Sequence, residues 1–429
     1  MAGRPIPSGR RAQWSWAFYD WANSAFATTV MAGFFPVFFK SYWAAGMPAT
    51  ESTVRLGTAN AIASLLVVLL APLLGVIADR SGKKKGLLLM LATLGALMSA
   101  GLFLVSEGYW LVAAGLYILG VIGFAGANVV YDAMLVDVAE KSELERVSAM
   151  GYALGYLGGG LLFAVNVLMV LYPESFGLAD KAQAVRFAFL MVALWWALFS
   201  LPVLLFVHEV ARPQAQGLAR GVQQAWRELG ETWRLLRKLR MAFIFLLAYW
   251  CYIDGVDTIV RMAVDYGLSI GFEAESLLTA LLITQLVGFP AALAFGRIGE
   301  RVGAKHAIWL ALAVYAVVVF WASRMSSSWE FYGLAVVIGL VQGGIQSMSR
   351  ALYARLIPAQ HAGRLFGLYN MMGKFAAVVG PLLVGWVTVL SGNARIGILS
   401  VLLLFLAGAW LLGRVNVPVG EREAMKAGA

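Results

Sequence analysis

Residues 75–85 read GVIADRSGKKK, and residues 296–303 read GRIGERVG. Gly75, Asp79 and Gly82 in the first segment have the same spacing as Gly296, Glu300 and Gly303 in the second. Each segment is a short charged turn between long apolar runs, and each follows the second run in a group of six. A chain that repeats one turn at the same place in two such groups is built from two halves of similar design. In a membrane, internal repeats of this kind are the footprint of a transporter that rocks about a central site.

Working outward from these turns, the sequence predicts twelve transmembrane helices. They lie at about 12–39, 55–78, 85–106, 110–139, 147–171, 184–207, 241–265, 275–297, 305–323, 329–355, 363–390 and 394–413. Of the 429 residues, 61% are hydrophobic and only 13% charged, whereas a soluble domain is about one-quarter charged. So few charges cannot solvate a soluble surface of this size. A soluble enzyme, a disordered chain and a nucleic-acid-binding domain are excluded as the main reading. The single cysteine, Cys251, excludes an internal disulfide and a cysteine-based zinc site. His208, His306 and His361 fall in or at the edges of predicted loops, so neither a histidine metal cluster nor a buried histidine proton relay is expected, and no cofactor is expected. The apolar stretch after Arg4, Arg10 and Arg11 is too long for a signal-peptide core and reads as a retained first helix.

The net charge of +10 comes from basic residues at the ends of apolar runs, where they orient helices. With the N-terminus in the cytoplasm, most of the 33 lysines and arginines fall on the inner side. The outer side holds Lys40, Arg55, Lys181, Arg186, Arg261, Arg324 and Arg395, and Lys374 lies within a span. The expected fold is an all-α membrane protein of twelve helices in two pseudo-symmetric six-helix bundles, residues 1–208 and 241–429, with both termini cytoplasmic. Residues 209–240 read as a cytoplasmic linker. Within it Leu218, Val222, Trp226, Leu229, Trp233 and Leu236 recur at helical spacing among arginines, which predicts a helix on the membrane surface.

Charges inside spans are costly in hydrocarbon and usually face a water-filled path or one another. Here they are Asp20, Asp132, Asp254, Asp257, Arg261, Arg350 and Lys374, with Asn23 and Asn370 among the neutral polar residues. One common offset superimposes Asp132 on Arg350, Arg146 on Arg364 and Tyr156 on Lys374. Asp132 and Arg350 lie in the inner thirds of helices four and ten. They are candidates for an ion pair between the halves that closes the inner side. Lys374 and Asn370 lie nearer mid-membrane, where a substrate would meet them. A central lysine attracts a carboxylate or phosphate, and Asp20 or Asp254 attracts an ammonium, so a zwitterion satisfies both. Asp20, Asn23 and Ser24 share a face of a regular helix, as do Asp254, Asp257 and Arg261. An Asp257–Arg261 ion pair is the purely structural alternative. Asp20 and Asp132, then Asp254, are the candidate proton carriers, because their environment can move their proton affinity. The run Gly151, Gly155, Gly158 and Gly159 reads as close helix packing rather than phosphate binding.

Gly75, Asp79, Arg80, Gly82 and the basic run from Lys83 resemble the signature loop between helices two and three of the major facilitator superfamily. The resemblance implies a latch on one face of a rocking cycle. Asp79 sits near the positive end of a neighbouring helix, and Lys83 pairs with Asp137. Gly296, Glu300, Arg301 and Gly303 form the second copy. Helices one, four, seven and ten line the cavity in that superfamily, and six of the intramembrane charges fall on them. The segments WAFYDWANSAFATTV, NVVYDAMLVDVA, GGIQSMSRALYARLIP and FGLYNMMGKFAAVVGP look like the branch that includes the vacuolar effluxers of fungal autophagy and many bacterial relatives. In fungi, that resemblance implies export of amino acids from the vacuole. Asp132 stands where the branch more often has asparagine, which adds an ionisable group.

The combined reading is a secondary transporter of a small polar or zwitterionic solute, exporting it by proton-coupled alternating access. It is expected to work as a monomer in a bacterial inner membrane, with the solute, protons and the bilayer as partners, and no nucleic acid. One alternative is an exporter of amphipathic drugs, which abundant Phe, Met and Trp would allow. Another is a transporter-like receptor that conducts nothing. No nucleophile–base set or nucleotide-binding loop supports an enzyme.

Overall fold

The computed structural model describes residues 9–209, 218–269, 274–325 and 327–428, with the side chains at 49, 218–227, 261–269, 274–278, 328, 377–378 and 394 set aside. Among the described residues it holds twelve helices long and apolar enough to cross a membrane, and no strand. In chain order these are α1 (Arg10–Trp43), α2 (Thr50–Ser81), α3 (Lys84–Leu104), α4 (Trp110–Val138), α5 (Leu144–Leu171) and α6 (Lys181–Phe206). The second set is α7 (Arg240–Val260), α8 (Thr279–Val302), α9 (Ala304–Ala322), α10 (Trp329–Leu356), α11 (Ala359–Ser391) and α12 (Arg395–Gly413). Helices are the outcome that lipid permits, because every backbone polar group must find its partner within the segment.

The two sets pack alike. In the first, α1 lies against α5 and α6, α3 against α4 and α6, and α2 against α4. Six helices further on, α7 lies against α11 and α12, α9 against α10 and α12, and α8 against α10. Contacts between the sets follow the same symmetry: α2 meets α11 as α8 meets α5, and α4 meets α11 as α10 meets α5. This is a pair of six-helix bundles related by a pseudo-two-fold axis. The repeated turn marks both copies, since Gly82 and Gly303 take φ of 62° and 85° at the ends of α2 and α8. A side chain there would be strained.

Successive spans run in opposite directions, so both described chain ends and the turns after α2, α4, α8 and α10 share one face, here termed the terminal face. A linker helix (Leu218–Lys238) lies at this face against α2, α11 and the start of α7. Thr232 and Leu236 are buried, while Trp233 is exposed and meets Phe243 edge-on. The side chains of Leu218, Val222 and Trp226 lie outside the described residues. A C-terminal helix (Val417–Gly428), which the apolar pattern does not reveal, packs under α7 and α10.

The first helix departs from regular geometry. From Phe26 to Phe34 and from Phe39 to Trp43 its backbone bonds span five residues rather than four, and the amide of Ala44 donates to the carbonyl of Phe39 at 2.8 Å. Such wide turns often occur at functional sites. Side-chain periodicity does not announce them.

Candidate functional site: a guanidinium shared between the bundles

Arg350 lies on α10 and is 2% exposed. A guanidinium has five N–H donors, and here all of them point into the first bundle. Nε donates to Ser148 Oγ and Nη2 to the Ser148 carbonyl on α5, both at 2.9 Å. Nη1 donates to Asp132 Oδ1 on α4 at 3.1 Å. Nη1 and Nη2 also reach Asp20 Oδ2 on α1, at 3.5 and 3.4 Å. The rings of Trp16, Tyr131 and Tyr152 surround the cation, with centroids 4.9, 5.3 and 4.4 Å from Cζ.

Further bonds fix the two carboxylates. The Tyr131 hydroxyl donates to Asp20 Oδ2 at 2.8 Å. Asn370 Nδ2, from α11, donates to Asp132 Oδ2 at 2.9 Å. A methyl group at Gly151 would lie 2.7 Å from Asp20 Oδ2 and 3.0 Å from Arg350 Nη2, so α5 needs glycine there. The glycine run of α5 thus brings it against α1, and the cluster forms at its first member. Two carboxylates against one guanidinium leave one negative charge to be matched when both are ionised. The cluster can therefore accept a proton or an ammonium.

Nearer the terminal face, Asp79 accepts the backbone amides of Gly363 and Arg364, each at 2.9 Å. These lie in the first turn of the α11 helix, where unpaired amides favour a negative charge. Gly75 sits against the backbone of Gly363, so α2 and α11 touch main chain to main chain. The second copy docks by different chemistry. Gly296 faces Ala149, and Glu300 Oε1 lies 3.5 Å from Arg146 Nε near the start of α5. Arg301 is exposed. Arg80 turns to the linker helix, with Nη2 2.8 Å from Glu228 Oε1.

One pairing differs from expectation. Asp137 is held by Lys84, at 2.5 Å, and not by Lys83. Lys83 follows the left-handed Gly82 and precedes the first turn of α3, so its side chain is exposed. Lys84 opens the helix and points at α4, with its amine also donating to the Ala133 carbonyl at 3.2 Å. Spacing alone cannot show which of three consecutive lysines a turn aims inward.

Residues 46–425 match the family model described as vacuole effluxer Atg22 like. The chain belongs to the Atg22-like family. It is 37% identical to the MFS-type transporter YxiO of Bacillus subtilis over 94% of both chains. It is 30% identical to autophagy-related protein 22 of Cryptococcus neoformans over 66% of this chain. That match spans about half of the fungal protein, 54% of its length. The fold is that of the proton:xylose symporter XylE (TM-score 0.68, 14% identity, 95% and 94% of the two chains). It is also that of the human organic anion transporter MFSD10 (TM-score 0.71, 17% identity, 95% and 100%). This Atg22-like protein is a transporter of the major facilitator superfamily.

The remaining candidates of this Atg22-like chain are dispersed. Asn23 is buried and donates to Asn128 Oδ1 on α4 at 2.6 Å, while Asp20 and Ser24 face Gly151 and Gly155 of α5. The shared face expected for the three is therefore divided between two neighbours. Asn370 joins the Arg350 cluster through Asp132, and Lys374 is half-buried one turn further along α11. Asp254 is buried and accepts the backbone amide of Gly380, at 2.9 and 3.0 Å from its two oxygens. Gly380 precedes Pro381, whose ring disturbs the helical ladder of α11. Asp257 is half-buried, and the side chain of Arg261 lies outside the described residues.

Sequence reasoning reads Trp16 as a belt or packing residue and does not single out Tyr131 or Ser148, although Trp16 and Tyr131 stand inside the motifs of helices one and four. It also passes over Arg355, which donates from Nε and Nη2 to both oxygens of Glu145 on α5 at 2.7 Å. Glu145 reads in sequence as one more loop charge beside Arg146. A useful signal is its place at the start of α5, the position matched by the Asp79 contact in the other half.

Proposed function

We propose that the chain exports a small polar or zwitterionic, amino-acid-like solute by proton-coupled alternating access. The terminal face is cytoplasmic in this reading, supported by the excess of lysine and arginine in its turns. Residues 1–208 and 241–429 move as two bundles joined by the 209–240 linker. The protein works as a monomer in this reading. The likeness to YxiO of Bacillus subtilis supports a bacterial inner membrane. The word effluxer in the family's description supports outward transport.

The observation that carries the reading is the commitment of Arg350 to the opposite bundle. Opening the terminal side withdraws one guanidinium from Asp20 and Asp132 together. A buried carboxylate left without a partner is costly. A proton or the ammonium of a solute replaces the lost positive charge, so opening is tied to loading. A ligand shifts a two-state equilibrium only by binding one state better, and this cluster binds a cation best when Arg350 has left. Lys374, one turn beyond Asn370, receives the substrate carboxylate. Asp257, half-buried on α7, extends the polar path.

A second reading, an exporter of amphipathic compounds, draws support from one feature. A cavity of about 160 Å³ in the second bundle is lined mostly by apolar residues, among them Ile259, Leu281, Phe331 and Ile338, with Gln285 and Gln342 on its wall.

Proteoliposomes with and without an imposed pH gradient test the proposal. Wild type should accumulate an amino acid against its gradient only when the pH gradient is present. Asp20→Asn should still exchange substrate but lose the accumulation, and Lys374→Ala should lose binding of zwitterions. Transport of amphipathic cations with no movement of any amino acid would favour the second reading.

A further inference from the structure

Arg355 has two carboxylate partners that belong to different bundles. Glu145 on α5, in the first bundle, receives Nε and Nη2 at 2.7 Å each and is 2% exposed. Glu421 on the C-terminal helix receives Nη1 at 3.2 Å, with its side chain 30% exposed.

The C-terminal helix is tied to the second bundle at several points. Gly420 sits close against Leu356 of α10 and Met241 of α7. Glu423 accepts the backbone amide of Met241 at 3.0 Å, in the first turn of α7. Just ahead of the helix, Lys305 Nζ donates to the carbonyls of Gly413 and Val415 at 3.1 and 2.8 Å. Glu421 therefore travels with α10 and Arg355, whereas Glu145 travels with α5. Arg350 differs in this respect, because each hydrogen bond described for it ends in the first bundle.

We propose that Glu421 is a built-in exchange partner for Arg355: Glu145 holds the guanidinium while the terminal face is closed, and Glu421 takes it over when the bundles separate. The inference rests on the alternating-access reading. Its physical content is a lowered cost of opening. Breaking the Glu145 pair without a substitute would strand a cation that the closed state partly buries. With Glu421 in place the cation always has a carboxylate, and the balance of states depends on the difference between the two pairs. Loss of Glu145 weakens only the closed state. Loss of Glu421 weakens the open state more, because there it is the partner that remains. The C-terminal helix thus acts as a counter-latch that sets how readily the terminal face opens.

The test uses the full chain in a Cys251→Ser background, with spin labels at Ser142 and His306. Both positions are exposed at the terminal face, one on each bundle. Glu421→Gln should lower the open population by about two- to fivefold, the change a partly exposed ion pair supports, and Glu145→Gln should raise it by about fivefold or more, because Glu145 is 2% exposed. The double variant should fall back toward wild type. Glu421 is partly exposed, so Glu421→Gln carries the test by itself if Glu145→Gln does not fold. An open population that stays constant or rises in Glu421→Gln overturns the exchange while leaving alternating access intact. A single fixed distance in every variant, unchanged by pH, overturns both.

Discussion

Asp132 on α4 and Asp254 on α7 are both buried, and their carboxylates are satisfied in opposite ways. Asp132 takes the guanidinium of Arg350 and the side-chain amide of Asn370, both from the other bundle. Asp254 takes the main-chain amide of Gly380, from its own bundle. Burial costs each of them a hydration shell. What differs is whether the compensation survives a separation of the bundles. A partner on the far side of the interface is lost in every cycle of the proposed mechanism, and a partner on the same side is kept. In the proposed mechanism Asp132, with Asp20, belongs to the gate, and the Asp254–Gly380 contact holds α7 against α11.

Five substitutions at four positions can break or sharpen that contrast. The largest effect is expected from Arg350→Gln, which leaves Asp20 and Asp132 buried without their cation. It should destabilise the closed state by about 3–5 kcal/mol, read as a longer distance between labels at Ser142 and His306. An unchanged distance would remove Arg350 from the gate. Next is Lys84→Met, which breaks the Asp137 pair inside the first bundle. It should lower thermal stability by about 1.5–3 kcal/mol without moving the balance of states, whereas Lys83→Met should stay within about 0.5 kcal/mol. The reverse order for the two lysines would restore the pairing expected from sequence. Asp254→Ala should cost about 1–3 kcal/mol through the unsatisfied Gly380 amide, and Asp254→Asn should recover most of it by offering an oxygen. If Asp254→Asn instead abolishes pH-driven accumulation, Asp254 belongs with the proton carriers and the contrast fails.

The architecture was legible because it depends on features that act over long stretches. Apolar length, the basic bias of alternate turns and the doubled glycine–acid–glycine pattern each register in sequence without knowledge of packing. The Asp132–Arg350 pairing was also visible, since the internal repeat superimposes the two positions. The cluster's other members were not. Ser148 and Tyr131 are ordinary helical residues until α5 and α4 converge on α10. Gly151 matters because of an Asp20 oxygen on α1, adjacent in space but far back in the chain. Asn23 parts from Asp20 because a residue three steps on lies about 60° short of a full turn, enough for it to face a different neighbour. The C-terminal helix carries no apolar stripe long enough to register, and its importance comes from one glutamate reaching Arg355.

The most direct measurement is a double-mutant cycle on Arg350→Gln and Asp132→Asn, read as the closed fraction from the Ser142–His306 label distance. If Arg350 closes the terminal face by pairing with Asp132, the two substitutions should show a coupling of about 2 kcal/mol or more, because removing either partner already loses the contact. Effects that add to within about 0.5 kcal/mol, as they do for independent sites, would contradict a gate built on this pair.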